Sequence, residues 1–276
     1  MNKRYTFLGI VGLLGALLMV AYIPYTSIKI ETKKTSMFQK TFQECLQIHD
    51  KALARIKDEL KVPQEKWDLY QEAIKKTIAS DDLKGAQTVP ANSDSEVPWI
   101  INKTKQLLCE YGINLDRVEI KDVNILSVNA EAQQEIDENG KIIHCLEINS
   151  KWMSQFPQEM QEAFIRHEIM HLLNYDPIEA GYIVYMLDSL GHSQKECLEH
   201  PAMVNYYHQR EARADLLGTC NSAILVKALH DHYAQDAKKY ANANPAQWLT
   251  HPTPATRSHY LAQLLTAMDA DQTVLT

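Results

Sequence analysis

The chain has 276 residues, 45% of them hydrophobic and 23% charged. That is an ordinary globular balance, with enough chain for one large or two small domains and a real core. A net charge of −7 with no long basic run argues against a nucleic-acid role, and five cysteines without a C-x-x-C pair argue against a zinc ribbon or a thioredoxin-type site.

Lys3 and Arg4 precede an uncharged run from Tyr5 to Ile28 whose apolar centre is Phe7 to Ile23. The run is long enough to span a bilayer as a helix, and Tyr5, Tyr22 and Tyr25 lie at its ends as interfacial aromatics do. Residues 1–28 therefore read as a membrane anchor, with residues 5–28 in the bilayer. The alternative is a signal segment removed on export, which leaves a secreted or periplasmic protein. The short basic N-terminus favours a single-pass protein with its main domain outside the cytoplasm.

Residues 29–97 read as a helical hairpin and linker. Phe42, Leu46, His49, Leu53, Ile56 and Leu60 recur at alternating spacings of four and three, the seam of an amphipathic helix over 36–61. His49 on that seam reads as a packing residue. Pro63 starts a second helix with Trp67, Tyr70, Ile74 and Ile78 on one side. The polar stretch 81–97 is the linker; Pro98 then opens a helix that Gly112 ends.

Residues 98–276 read as the main domain. From Leu115 the pattern turns to β: Val118-Glu119-Ile120, then Val123 to Val128, then Ile142 to Ile148 after the Glu138-Asn139-Gly140-Lys141 turn. These predict a small antiparallel sheet, in which His144 is structural. The cysteines, odd in number and widely spaced, suggest free buried thiols, with a single bridge such as Cys197–Cys220 left open.

Pro157 begins a helix with Phe164, Ile165, Ile169, Leu172 and Leu173 on its apolar surface, closed by Asp176-Pro177. It carries His167-Glu168-Ile169-Met170-His171. In this H-E-x-x-H pattern, two imidazoles one turn apart share a helix face and can grip one metal ion. Glu168, beside the first, can reach a metal-bound water as general base. A third ligand is needed, and catalytic zinc commonly takes a carboxylate from a separate helix. Glu211 and Asp215 are four apart on a helix expected to run to about Asn242. By themselves they also fit a solvated acidic face paired with Arg210 and Arg213. Beside the motif, Asp215 suits a hydrogen bond to the far nitrogen of a ligand histidine, and Asp176 is a second candidate for that role. His208 is a rival third ligand, while His192 and His200 lack ligand-like spacing. His251, in the stiff loop of Pro252 and Pro254, is placed to donate to a developing oxyanion, and Arg257 to anchor the site through a carboxylate.

Three motifs stand in one order: His167-Glu168-x-x-His171, Glu211-x-x-x-Asp215, and His251-Pro252 followed by Arg257. The set resembles the HtpX and CaaX-prenyl-protease type of gluzincin zinc metallopeptidase over roughly residues 115–265, with Asp176 and Val128-Asn129-Ala130 also fitting. The resemblance implies one Zn²⁺ held by His167, His171 and Glu211, with Glu168 as base, Asp215 behind a ligand histidine and His251 as a substrate contact. It implies an α+β, mostly helical fold: a gluzincin metallopeptidase with a small sheet before the motif helix and a helical hairpin N-terminal to it. Ile169-Met170 replaces the family's frequent Leu-Gly, one candidate span replaces several, and residues 36–97 match no family feature. The expected function is that of a zinc endopeptidase in membrane-associated protein processing or quality control, with protein or peptide substrates. The alternative is a non-catalytic, membrane-anchored scaffold or chaperone-like zinc protein.

Overall fold

The computed structural model describes residues 35–85, 99–124 and 129–273. The span assigned to residues 5–28, the linker stretch 86–97, Pro98 and the strand residues 125–128 lie outside the described residues. Among the described residues no helix is long and apolar enough to cross a membrane. The fold is α+β and mostly helical, with one three-stranded sheet.

Helix α1 (Thr35–Glu59) lies along a later helix, α8 (Pro201–Thr219). Its buried stripe is Thr41, Cys45, His49, Ala52 and Ile56, with Phe42, Leu46 and Leu53 at the margin. The stripe is thus rotated from the seam expected from the large apolar residues. Cys45 and Ala52 on this stripe allow a closer approach of the helices than Phe or Leu would. Lys61 turns the chain with a φ of 52°, and α2 (Gln64–Ala79) follows Pro63, burying Tyr70 and Ile74. Both helices share a core with Ile183, Met186, Leu187, Met203 and Tyr206. Helix α3 (Trp99–Glu110) buries Ile100, Ile101, Leu107 and Leu108 and ends at Gly112, whose φ of 70° suits glycine.

Strands β1 (Val118–Asp122), β2 (Ala130–Ile136) and β3 (Ile142–Ile148) form a sheet in the order β1-β3-β2. The sheet is mixed, not antiparallel as expected: β1 runs parallel to β3 and β2 antiparallel to it. The resemblance implied a strand segment at Val128-Asn129-Ala130, and Ala130 does open β2, but nothing announced its continuation over 131–136, because Ala-Glu-Ala-Gln-Gln-Glu-Ile has little β propensity. Its conformation comes from the turn behind it. Asp137 Oδ1 accepts from the backbone of Asn139 and Lys141, and this turn folds β2 onto β3. At the sheet edge, β2 is left facing the motif helix.

A short helix α4 (Ser150–Met153) leads to the motif helix α5 (Gln158–Leu173). Ile165, Ile169, Met170 and Leu172 of α5 are fully buried, in one cluster with Leu146, Ile148, Ala214, Leu217, Val226, Leu229 and Leu261. Asp176-Pro177 does not close α5. That helix stops at Leu173, Tyr175 turns the chain with a φ of 55°, and Asp176 opens α6 (Asp176–Ser189). After α7 (Gln194–Glu199) comes α8, with its first turn capped by His200. The single helix expected to reach Asn242 is two. Helix α8 stops at Thr219, one residue past Gly218, and Ser222 caps α9 (Ala223–Lys239), a break with no Gly or Pro at Cys220 to Ser222 itself. Helix α10 (Pro254–Thr273) packs mainly on α9. All five cysteines are free.

Candidate metal centre

Helix α5 presents His167 and His171 one turn apart, and α8 brings Glu211 against them. His167 Nε2 lies 3.3 Å from Glu211 Oε2, His171 Nε2 lies 3.4 Å from Glu211 Oε1, and the two Nε2 atoms are 3.0 Å apart. All three side chains are buried, and one donor atom from each falls within 4.8 Å of the others. Glu211 Oε2 is buried with no hydrogen-bond partner. An orphaned carboxylate oxygen facing two imidazole nitrogens is costly unless a cation binds there. This donor set, two nitrogens and a carboxylate, fits zinc.

The far side of each histidine is held. His167 Nδ1 pairs with Asp215 Oδ1 at 2.8 Å and His171 Nδ1 with Asp176 Oδ2 at 2.7 Å. A proton kept on Nδ1 aims the Nε2 lone pair into the site. Each carboxylate is itself fixed. Arg257 donates to both oxygens of Asp215, at 2.8 and 2.6 Å, and Tyr260 adds its hydroxyl. Arg213 donates to Asp176. Burial alone would discharge the histidines. Asp215 and Glu211 outweigh it and raise His167 to about 10; Glu211 and Asp176 raise His171 as well. The two histidines in turn draw Glu211 well below the usual carboxylate range against its burial. Glu168 moves the other way: burial pushes its carboxyl up, in the direction that suits a proton acceptor near neutral pH.

Glu168 Oε2 accepts from the Ala132 backbone N–H at 2.9 Å. In an antiparallel strand, alternate residues point their backbone groups to the same side. Ala130 and Ala132 therefore direct theirs away from β3, towards Glu168. His251 sits half-exposed in the loop before α10, its Nε2 3.5 Å from Glu211 Oε2, and Arg257 reaches the same oxygen at 3.6 Å. A cleft of about 510 Å³ opens over the group, lined by Asn129 to Ala132, His167, Glu168, His171, Pro177, Tyr207, Arg210, Glu211, Thr250 and His251.

The structure thus brings together His167, Glu168, His171, Asp176, Glu211, Asp215, His251 and Arg257. The other histidines weighed as ligands go elsewhere. His208 bonds the Trp248 carbonyl, His144 pairs with Asp81, and His49 lies 2.9 Å from Glu179. Sequence reasoning missed Tyr260, the Ala132 N–H and Gly218. Tyr260 had a signal, three residues past Arg257 on the same helix face. At Gly218 a Cβ would lie 3.1 Å from the Arg166 carbonyl carbon and 3.2 Å from His167 N, so glycine lets α8 touch the backbone of α5.

No family model, curated protein or solved structure matches the chain.

Proposed function

We propose that the chain is a zinc-dependent endopeptidase of gluzincin type, held at the membrane by residues 5–28 with the described domain outside the cytoplasm. The observation that carries this reading is the pairing of a buried His167–His171–Glu211 triad with Glu168, beside an edge strand in an open cleft. A purely structural site has no use for Glu168, which is only partly exposed, at an energetic cost, and faces the cleft.

His167, His171 and Glu211 would hold the ion. Bound zinc supplies Lewis-acid polarisation of the scissile carbonyl and makes water more acidic. An extended peptide lies along β2, where Ala130 and Ala132 offer backbone groups to a new strand. Glu168 then exchanges its Ala132 contact for the attacking water, takes that proton and passes it to the leaving amine. His251, at the cleft mouth, donates to the oxygen that gains charge. Asp215 and Asp176 keep the two imidazoles in one tautomer throughout.

The test is cleavage of casein by the zinc-loaded chain, with and without chelator, alongside Glu168→Gln. The expected result is chelator-sensitive cleavage, and a variant that retains zinc but loses about 10²–10⁴ in rate. Wild-type rates in a zinc-loaded Glu168→Gln variant would refute the mechanism, and zinc binding with no cleavage by the wild type would favour the scaffold reading.

A further inference from the structure

Arg210 stands on the wall of the cleft with Pro177, Tyr207 and His171. Its side chain is largely buried, yet among the described residues its Nε has no hydrogen-bond partner. Asp176 is the carboxylate within ion-pair distance, at 3.9 Å, while Glu211 and Glu179 act on its charge from farther away without bonding it. The Asp176 carboxylate is already engaged, one oxygen by His171 and the other by Arg213. The rings of Tyr206 and Tyr207 lie 5.6 and 5.9 Å from the guanidinium carbon. Such cation–π contacts steady the group but leave its N–H donors unused. An arginine cannot shed its charge, and a buried donor without a partner is costly. Arg213 and Arg257 anchor Asp176 and Asp215, whereas Arg210 has no comparable bond. The charged residues on the rest of the cleft wall include Glu131, Glu168 and Glu211. With Glu211 holding the ion, Glu131 and Glu168 remain as the acidic groups of the wall, and Arg210 offers an anionic substrate group a bidentate partner beside them, which sets register as well as affinity.

We propose that Arg210 forms a carboxylate-binding subsite, and that the preferred peptide carries a carboxylate close to the scissile bond, on the stretch of chain that lies in the same cleft. The proposal rests on the peptidase reading of the same site. A free C-terminus and an Asp or Glu side chain present the same planar anion, and a guanidinium fork takes either in the same bidentate way. The first source makes the enzyme act near chain ends; the second makes it cut internally beside acidic residues.

The probes are fluorescein-labelled, alanine-rich hexapeptides. One set compares a free C-terminus with the C-terminal amide, and the other compares Glu with Gln at each position. Binding is measured by anisotropy to the zinc-loaded full chain carrying Glu168→Gln, and kcat/KM is measured on the zinc-loaded wild type. The expected result is a preference of about ten- to a hundredfold for the carboxylate member of one set, which identifies the source. Arg210→Met brings that ratio to about one, and Arg210→Lys, with the charge but not the fork, gives an intermediate ratio. Equal binding of both members in both sets, no binding of any carboxylate peptide, or a ratio that survives Arg210→Met overturns the proposal. If the Met variant does not fold, the Lys variant and the ligand comparison with Arg210 intact decide it. Absence of cleavage by the wild type overturns the peptidase reading alone, because the binding ratios still judge the subsite.

Discussion

Gly218→Ala separates the stability of the fold from the geometry of the metal centre. The added Cβ would stand 3.1 Å from the Arg166 carbonyl carbon and 3.2 Å from both Arg166 O and His167 N, so α5 and α8 must part by a few tenths of an ångström. The atoms it meets are backbone in the middle of a buried helix, which yields less readily than a side chain. Alanine in place of glycine favours a helix by about 1 kcal/mol. Overpacking costs about 1–3 kcal/mol. The metal-free protein should therefore lose about 0–2 kcal/mol, and its Tm should fall by no more than about 4–8 °C. The proposed metal centre is less tolerant. Glu211 moves with α8 while His167 and His171 stay with α5, and metal–ligand distances have a tolerance of about 0.2 Å. Zinc affinity should fall by about ten- to a hundredfold. The assay is competition with a calibrated chelator, beside thermal unfolding of the same metal-free preparation. Wild-type zinc affinity, or a Tm raised by the whole helix-propensity gain, would refute the close-contact reasoning.

Asp176→Asn removes the charge that holds His171 and leaves Arg213 buried opposite a neutral group. It should cost about 3–5 kcal/mol of stability and about ten- to a hundredfold in zinc affinity; unchanged zinc affinity would show that His171 needs no such partner. In the metal-free chain His167, raised to about 10, carries a proton at neutral pH that zinc must displace. Zinc affinity should therefore rise between about pH 6 and 8, with roughly one proton or more released per ion. Calorimetry in buffers of different ionisation enthalpy measures this, and no proton release contradicts the assignment. Glu179 is held below its ordinary value because His49 and Arg213 overcome its burial. A depressed folded pKa stabilises above the unfolded value near ~4.3, and that contribution is lost as pH falls through the folded pKa. Glu179→Gln should accordingly flatten the acid limb of stability below about pH 4; superimposable denaturant profiles for the two proteins would count against the ion pair.

Much of the site was legible because its signals are local. The four-residue spacing of His167 and His171, and of Glu211 and Asp215, works through helix periodicity, which needs no knowledge of the fold. Helix ends marked by Pro63, Pro157 and Gly112 were readable for the same reason. The misreadings concern features that side-chain type does not announce. Strand β2 lacks β propensity and exists because a turn folds it onto β3. The break at Cys220 to Ser222 contains no strong breaker. The α1 stripe follows the closeness of α8, which favoured Cys45 and Ala52 over larger neighbours.

The amino-acid order supplies the chemistry available: two imidazoles, a carboxylate beside them and a second acidic pair on another helix. The packing of the helices sets which group meets which. It turned Glu211 to the histidine Nε2 atoms and Asp215 to an Nδ1. It sent His208 to a backbone carbonyl, and it left Arg210 in the cleft while Arg213, three residues on, was consumed by Asp176. The reason is physical. Periodicity fixes the face of a helix on which a side chain lies, but the partner it meets depends on how closely and at what rotation two helices distant in sequence pack. Here Gly218 is the point at which α8 comes against the α5 backbone.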